Sequence, residues 1–380
     1  MSEYQYFEFQ SLDRPLTADQ QSAMRRISHQ VDLTPVRAAF TYTAGSFGAE
    51  PRSVLAQHFD AMIHLTGWGD KRLMFRFPAS LLDLDELRAY GDPLGQRITW
   101  SVRGDYALLD IHFRRDPGAG WIEAERWLPS LAPLRADILR GDTRALYLAW
   151  LKSLTPEDAI DATEEPPVPA GLREMSPQLE AFLELFEVDP YLLEVASQAS
   201  EEIPGSPQGL GIPPPFGMSE TDIRRALETL PRYESDAYLL RVAGGEPLAG
   251  VALLRRLREI AGAQAAGSPR RTTVQLLSAA GEARDRSQSQ QVQGAEAQRI
   301  AEFEDLASRE DQAWALVERL VSRRGARPHD EAVDLLLKLR DAAAYKGRLP
   351  AFEERLAGLC ARVKGRRGLV GRLRAASLCG

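Results

Sequence analysis

The chain is poor in the residues that most often announce chemistry. Its 380 residues include two cysteines, Cys360 and Cys379, and five histidines. So few cysteines, both close to the C-terminus, exclude a multi-bridge disulfide framework and a structural zinc site built from four neighbouring Cys/His ligands. Long apolar runs are missing too: nothing approaches the roughly 18–20 residues of a membrane span. The first thirty residues carry Glu3, Glu8, Asp13 and Asp19 and no continuous apolar stretch, so no secretory leader is expected. There is no Gly-x-Ser-x-Gly, His-Glu-x-x-His, Walker-type loop or dinucleotide fingerprint. No catalytic residue, cofactor or metal is therefore expected, and the reducing bacterial cytoplasm is the expected compartment.

What is present is a polarised charge distribution within a net of −7. Residues 151–220 hold two cations, Lys152 and Arg173, against fourteen acids, whereas residues 321–380 hold fourteen cations against six acids, and the last twenty have no acid at all. Such polarity suggests contacts between parts of the chain, or an anionic partner at the basic end. An apolar fraction of 44% and a charged fraction of 27% are ordinary for a globular protein. A chain of this length is expected to hold two or three domains.

Residues 1–115 read as an α+β domain with a mixed sheet and two helices. Tyr4 to Phe9 alternate as a strand, with Gln5, Phe7 and Phe9 on one face. Thr17 with Gln20 fits a capping box opening a helix that carries Met24, Ile27 and Val31. Val36 to Thr43 is β-rich. After Gly45-Ser46-Phe47-Gly48 a second helix starts at Pro51, its apolar side read as Val54/Leu55, Phe59, Met62 and Leu65. Leu73, Phe75 and Phe77 form a further strand. Ile98 to Val102 and Tyr106 to Phe113 then make a hairpin around Arg103-Gly104-Asp105, where glycine supplies the positive φ of a tight turn.

Residues 116–202 read as a helical region that includes an acidic, proline-containing linker over 155–171. The segment 203–217, with five prolines and four glycines, reads as a linker. Residues 218–380 read as a helical domain with a basic tail, its stripes (Trp314, Val317, Leu320/Val321; Val333, Leu336/Leu337; Phe352, Leu356, Leu359/Cys360, Val363) resembling helical hairpins. Residues 284–298 have no apolar face and read as a solvated helix extension or as disorder.

Each candidate for chemistry has a plainer explanation beside it. His58 and His64, six apart on one expected helix, point far apart around it, and His112 lies on the Tyr106/Leu108/Asp110 face of the hairpin. Gly45-Ser-Phe-Gly48 precedes a helix and lacks the lysine of a phosphate loop. Asp60 and Asp110 sit among apolar positions without a foreseeable partner. Trp100, Trp121, Trp127 and Trp150 read as core rather than as an aromatic cage. The best functional signal is Arg362, Lys364, Arg366, Arg367, Arg372 and Arg374, interrupted by Gly365, Gly368 and Gly371. As flexible cations these would contact an anion or nucleic-acid phosphates; without interleaved aromatics they would not read base sequence. A solubilising tail, or one docked on the acidic 151–220 region, explains them as well.

The opening Met1-Ser-Glu-Tyr-Gln-Tyr-Phe-Glu-Phe with Asp13-Arg-Pro-Leu-Thr17 resembles the N-terminal signature of an uncharacterised bacterial protein family, and Gly141-Asp-Thr-Arg-Ala-Leu-Tyr-Leu-Ala-Trp-Leu151 is similar to a second block of it. From Asp330-Glu-Ala-Val through Phe352-Glu-Glu-Arg-Leu the chain resembles the helical tail of bacterial SWIM zinc-finger proteins and, faintly, tetratricopeptide (TPR) helices. The finger's Cys-x-Cys and Cys-x-His are absent, so its zinc and DNA roles do not carry over. The resemblance implies no activity and no site residues.

Taken together, the sequence points to an α+β protein with TPR-like hairpins at its end. Its expected role is a non-catalytic protein-interaction or adaptor protein, with a protein partner and no membrane. The alternative is a nucleic-acid-associated protein using the basic tail.

Overall fold

The computed structural model describes residues 4–43, 45–114, 124–155, 163–201, 218–261, 271–323 and 325–378. The chain divides into two compact units, Met1–Ala283 and Arg284–Gly380. The 203–217 linker, Trp121 and Cys379 lie outside the described residues.

The first unit is built on a seven-stranded sheet of order β2-β3-β1-β4-β5-β7-β6. The strands are β1 (Gln5–Gln10), β2 (Asp32–Thr34), β3 (Arg37–Tyr42), β4 (Ala61–Thr66), β5 (Lys71–Pro78), β6 (Ile98–Arg103) and β7 (Tyr106–Phe113). Two helices interrupt them: α1 (Ala18–Ile27) enters through the expected Thr17/Gln20 capping box, and α2 (Pro51–His58) is capped by the Glu50 carboxylate. A short α3 (Leu84–Arg88) precedes the hairpin, whose turn places Gly104 at φ 58°.

The architecture is α+β, as the sequence indicates, but every pairing is antiparallel rather than mixed. The difference arises at α2. It stops at His58, and the residues expected to prolong it, Met62 and Leu65, belong to β4. This strand lies between β1 and β5 and is covered on both faces, so Ala61, Met62, Ile63 and Leu65 are apolar on either side and the strand shows no clean alternation. A short run of that kind does not distinguish strand from helix by periodicity.

Parity assigns the two faces. Phe7, Phe9, Phe40, Met62, Met74 and Leu108 pack with Met24 of α1 and Val54 and Leu55 of α2. Tyr6, Ile63, Leu65, Leu73, Phe75, Leu109 and Ile111 pack into the larger core supplied by later helices. Those helices are α4 (Trp127–Leu131), α5 (Pro133–Leu139), α6 (Arg144–Ser153), α7 (Pro177–Phe186) and α8 (Pro190–Gln198). Trp127 and Trp150 are core residues, and Trp100 packs 5.8 Å from Phe77. The acidic stretch expected to be a linker is partly core: Glu165 is buried, accepts from the Tyr147 hydroxyl and pairs with Arg271 at 2.7 Å.

Three further helices, α9 (Glu220–Thr229), α10 (Arg232–Ala243) and α11 (Ala249–Ala261), share a small core around Leu230 and Leu257. Next, α12 (Thr273–Ser308) contributes Leu276, Ala280 and Ala283 to the first unit's core. Its 284–298 stretch, ambiguous in the sequence, is helical and almost wholly exposed.

In the second unit α13 (Glu310–Ser322), α14 (Ala326–Tyr345), α15 (Leu349–Val363) and α16 (Arg367–Ala375) form helical hairpins around Trp314, Val317, Leu336, Phe352, Leu369 and Leu373. Cys360 of α15 packs against this core.

Buried charges join the layers of the first unit. Asp60, 1% exposed, accepts the amides of Leu12 (2.7 Å) and Asp13 (3.0 Å) and pairs with Arg76 at 2.8 Å. Arg135 of α5 donates to Asp13 through both terminal nitrogens, at 2.9 and 2.7 Å, and to the Arg76 carbonyl. Replacing Asp60 by Ala strands these donors and leaves buried guanidinium charge uncompensated, a loss of about 3–5 kcal/mol. Exposed Asp85→Ala is expected to stay within about 0.5 kcal/mol of wild type. Urea unfolding of both variants measures the contrast, and equal midpoints would contradict it.

Candidate functional site

Two polar features stand out beside the basic tail, and both lie on the α1/α2 side of the sheet. The first follows from strand register. Phe7 is opposite His64, His64 opposite Arg72, and Arg72 opposite His112, so one row crosses four strands. Arg72 grips Asp110 with two hydrogen bonds, Nε to Oδ1 at 2.8 Å and a terminal nitrogen to Oδ2 at 2.7 Å. From α2, Arg52 reaches the same carboxylate, with its Nε 2.9 Å from Oδ2. Burial opposes ionisation of Asp110, but the two guanidinium groups hold its carboxyl below the usual carboxylate range.

Both imidazoles are held below their ordinary pKa. Burial, then the charges of Arg72 and His112, push His64 down to about 4 against a weaker opposing pull from Asp70. His112 is lowered chiefly by burial and Arg72. The His64 ring lies flat on Phe7, with centroids 4.0 Å apart and planes 7° from parallel, and Phe47 stacks on the same phenyl group. His64 therefore works as an aromatic core residue. Its Nε2 and that of His112 are buried without a hydrogen-bond partner among the described residues. Among the described residues no group of three or more Cys, His, Asp or Glu is placed to hold a metal.

The second feature is a cavity of about 360 Å³ between α1 and α2, lined by Ala23, Met24, Arg26, Ile27, Gly48, Glu50, Ser53, Val54, Gln57 and His58 among others. Gly45-Ser-Phe-Gly48 is thus a helix-leading turn whose end reaches this cavity. The pKa of His58 is lowered by burial and then by Arg76, and its Nδ1 is buried without a hydrogen-bond partner among the described residues.

The six tail cations are not a flexible run. Leu369, Leu373 and Leu378 are buried, so α16 is packed into the second unit. Arg362 pairs with Glu318 of α13 at 2.7 Å, Arg366 donates to the Val321 carbonyl near the end of that helix, and Arg372 pairs with Asp330 of α14. A cation on the last carbonyls of a helix satisfies unpaired acceptors and complements the helix dipole. Lys364 and Arg367 are exposed and make no ion pair among the described residues, and Arg374 is exposed on α16.

Sequence reading picked out Asp60 and Asp110 but not their partners. One signal was there: Arg72, Met74 and Arg76 share the face of β5 opposite Leu73, Phe75 and Phe77, and Asp110 shares a face with Leu108 and His112 on the next strand. Two arginines on a covered face call for carboxylates.

No protein-family model, curated protein or solved structure matches the chain.

The depressed His64 pKa sets a pH response. Above about pH 6.5 the ring is unprotonated in both folded and unfolded chains. Between about 6.5 and 4 only the unfolded chain binds the proton, so acidification across that window removes stability. At pH 4.5 the loss from this group is roughly 2–3 kcal/mol. His64→Phe keeps the stacking and abolishes the titration; denaturant melts at pH 7.5 and 4.5 should show a smaller acid loss for the variant, and identical losses would contradict the assignment.

Proposed function

We propose that the protein is a non-catalytic interaction protein that engages another protein through exposed helix surfaces. The observation that carries this reading is α10. None of its residues is buried, and Tyr233, Leu239, Leu240 and Val242 are 74, 62, 74 and 54% exposed. Tyr233, Ala237 and Leu240 follow i, i+4, i+7 spacing, the stripe that a surface helix ordinarily turns towards its own core. Here the helix is fastened through Tyr238, which meets the small core, and through the Glu234–Arg256 ion pair at 2.9 Å.

Apolar surface left in water forgoes about 25 cal/mol per Å², and a contiguous patch of it marks an interaction site. An amphipathic helix or an apolar groove on a partner fits that stripe. The second unit is built of helical hairpins, an architecture whose paired helices commonly serve recognition. No helix among the described residues is long and apolar enough to cross a membrane. An adaptor role in the bacterial cytoplasm is part of this proposal. Nucleic-acid binding through the tail has less behind it, since Arg362, Arg366 and Arg372 already serve packing within the second unit.

A photo-crosslinking residue at Leu240, introduced into the full chain in a bacterial host, tests the proposal. A discrete crosslinked protein is expected, lost when Tyr233→Ser is added and retained with exposed Asp85→Ala. Circular dichroism of Tyr233→Ser should match wild type, because the side chain supports no core. No adduct, or an adduct indifferent to Tyr233→Ser, overturns the reading.

A further inference from the structure

We propose that the cavity between α1 and α2 binds a free amino acid with an unbranched or branched aliphatic side chain. Its volume of about 360 Å³ falls within the range of about 300–1,000 Å³ common for small-molecule sites. The lining divides by chemistry. Ala23, Met24, Ile27, Ala49 and Val54 supply its apolar part, Ser53, Gln57 and His58 its neutral polar part, and two groups of opposite charge, Arg26 and Glu50, line the same space.

Those two charges do not cancel each other. Arg26, in the last turn of α1, is exposed and makes no ion pair among the described residues. The Glu50 carboxylate is occupied by the start of α2, accepting the amides of Arg52 at 3.1 Å and Ser53 at 2.6 Å, and forms no ion pair among the described residues. Partial burial opposes its charge, but hydrogen bonds from Ser53 and Arg52 and the charge of Arg103 keep the carboxyl below its ordinary range, so Glu50 is an anion at neutral pH.

The ends of the two helices meet on this side. A Cβ on Gly48, two residues before Glu50, would lie 3.6 Å from the Ile27 carbonyl, which brings the α1 C-terminus beside the α2 N-terminus. A cation and an anion lining one part-apolar cleft complement a zwitterion: the ligand carboxylate faces Arg26, its ammonium faces Glu50, and its side chain lies over Met24, Ile27 and Val54. A simple fatty acid or alkylamine satisfies one charge and leaves the other facing its tail.

Isothermal titration of the full chain with L-norleucine, hexanoate and hexylamine separates these cases. Saturable binding of norleucine is expected, with the two singly charged probes at least about tenfold weaker, the ratio for loss of one modest charge contact. Arg26→Gln should weaken norleucine about tenfold and leave hexylamine unchanged. Glu50→Gln, whose amide oxygen still caps α2, should weaken norleucine similarly and leave hexanoate unchanged. Val54→Trp fills the cleft and should abolish binding of all three; if that variant does not fold, the Arg26 and Glu50 variants decide alone. No saturable norleucine binding, equal binding of hexanoate or hexylamine, or indifference to Arg26→Gln and Glu50→Gln overturns the proposal.

Discussion

A carboxylate taken out of water must find partners, and Asp60 is where this fold meets that demand. The residue follows α2 and precedes β4, at the point where the chain leaves a helix on one face of the sheet and enters its middle. Two amides after β1 and one guanidinium of β5 meet it, and Arg135, beside it at 3.7 Å, comes from a helix on the other face. The resulting cluster specifies more than it stabilises. A buried ion pair contributes little net free energy relative to an apolar replacement, but a wrong register leaves its charges unpaired at a cost of several kcal/mol. Strand register, the end of α2 and the docking of α5 are thereby tied to one another.

Asp110 repeats the arrangement at the other end of the same face. There Arg72 of β5 and Arg52 of α2 share a single buried carboxylate. The helix α2 therefore has two occupations. Its first turn is anchored to the sheet through Arg52, and its cap, Glu50, belongs both to the helix and to the cleft shared with α1. With eight residues, α2 is too short to be stable alone in water. Its position depends on these charges and on Val54 and Leu55 in the core.

Alternation carried most of what the sequence disclosed. Phe7 and Phe9 against Tyr6, and Leu73, Phe75 and Phe77 against Met74, sort to opposite faces as their parity requires. The capping box at Thr17 and the hairpin at Gly104 are local and were readable for that reason. β4 was not, since burial on both sides erases its alternation. The ionic partners escaped because they lie far apart along the chain: Asp13 and Arg135 are 122 residues apart, and Arg52 and Asp110 are 58 apart. The tail misled for the opposite reason. Its glycines suggest flexibility, yet Leu369 and Leu373 stand four apart and bury one side of α16, while Arg366 turns to α13 and Arg372 to α14.

The central place of β1 has a consequence for how the chain is made. This strand has β3 on one side and β4 on the other, so its pairing cannot be completed before residue 66 has emerged from the ribosome. The face carrying Tyr6, Ile63, Phe75 and Leu109 waits longer still, because its covering helices begin at Trp127 and run to Gln198. At synthesis rates of about 5–20 residues per second, a broad apolar sheet face stays uncovered for several seconds. The nascent protein thus passes through a sticky half-built stage, and chaperones that shield such faces would act on it between those two points.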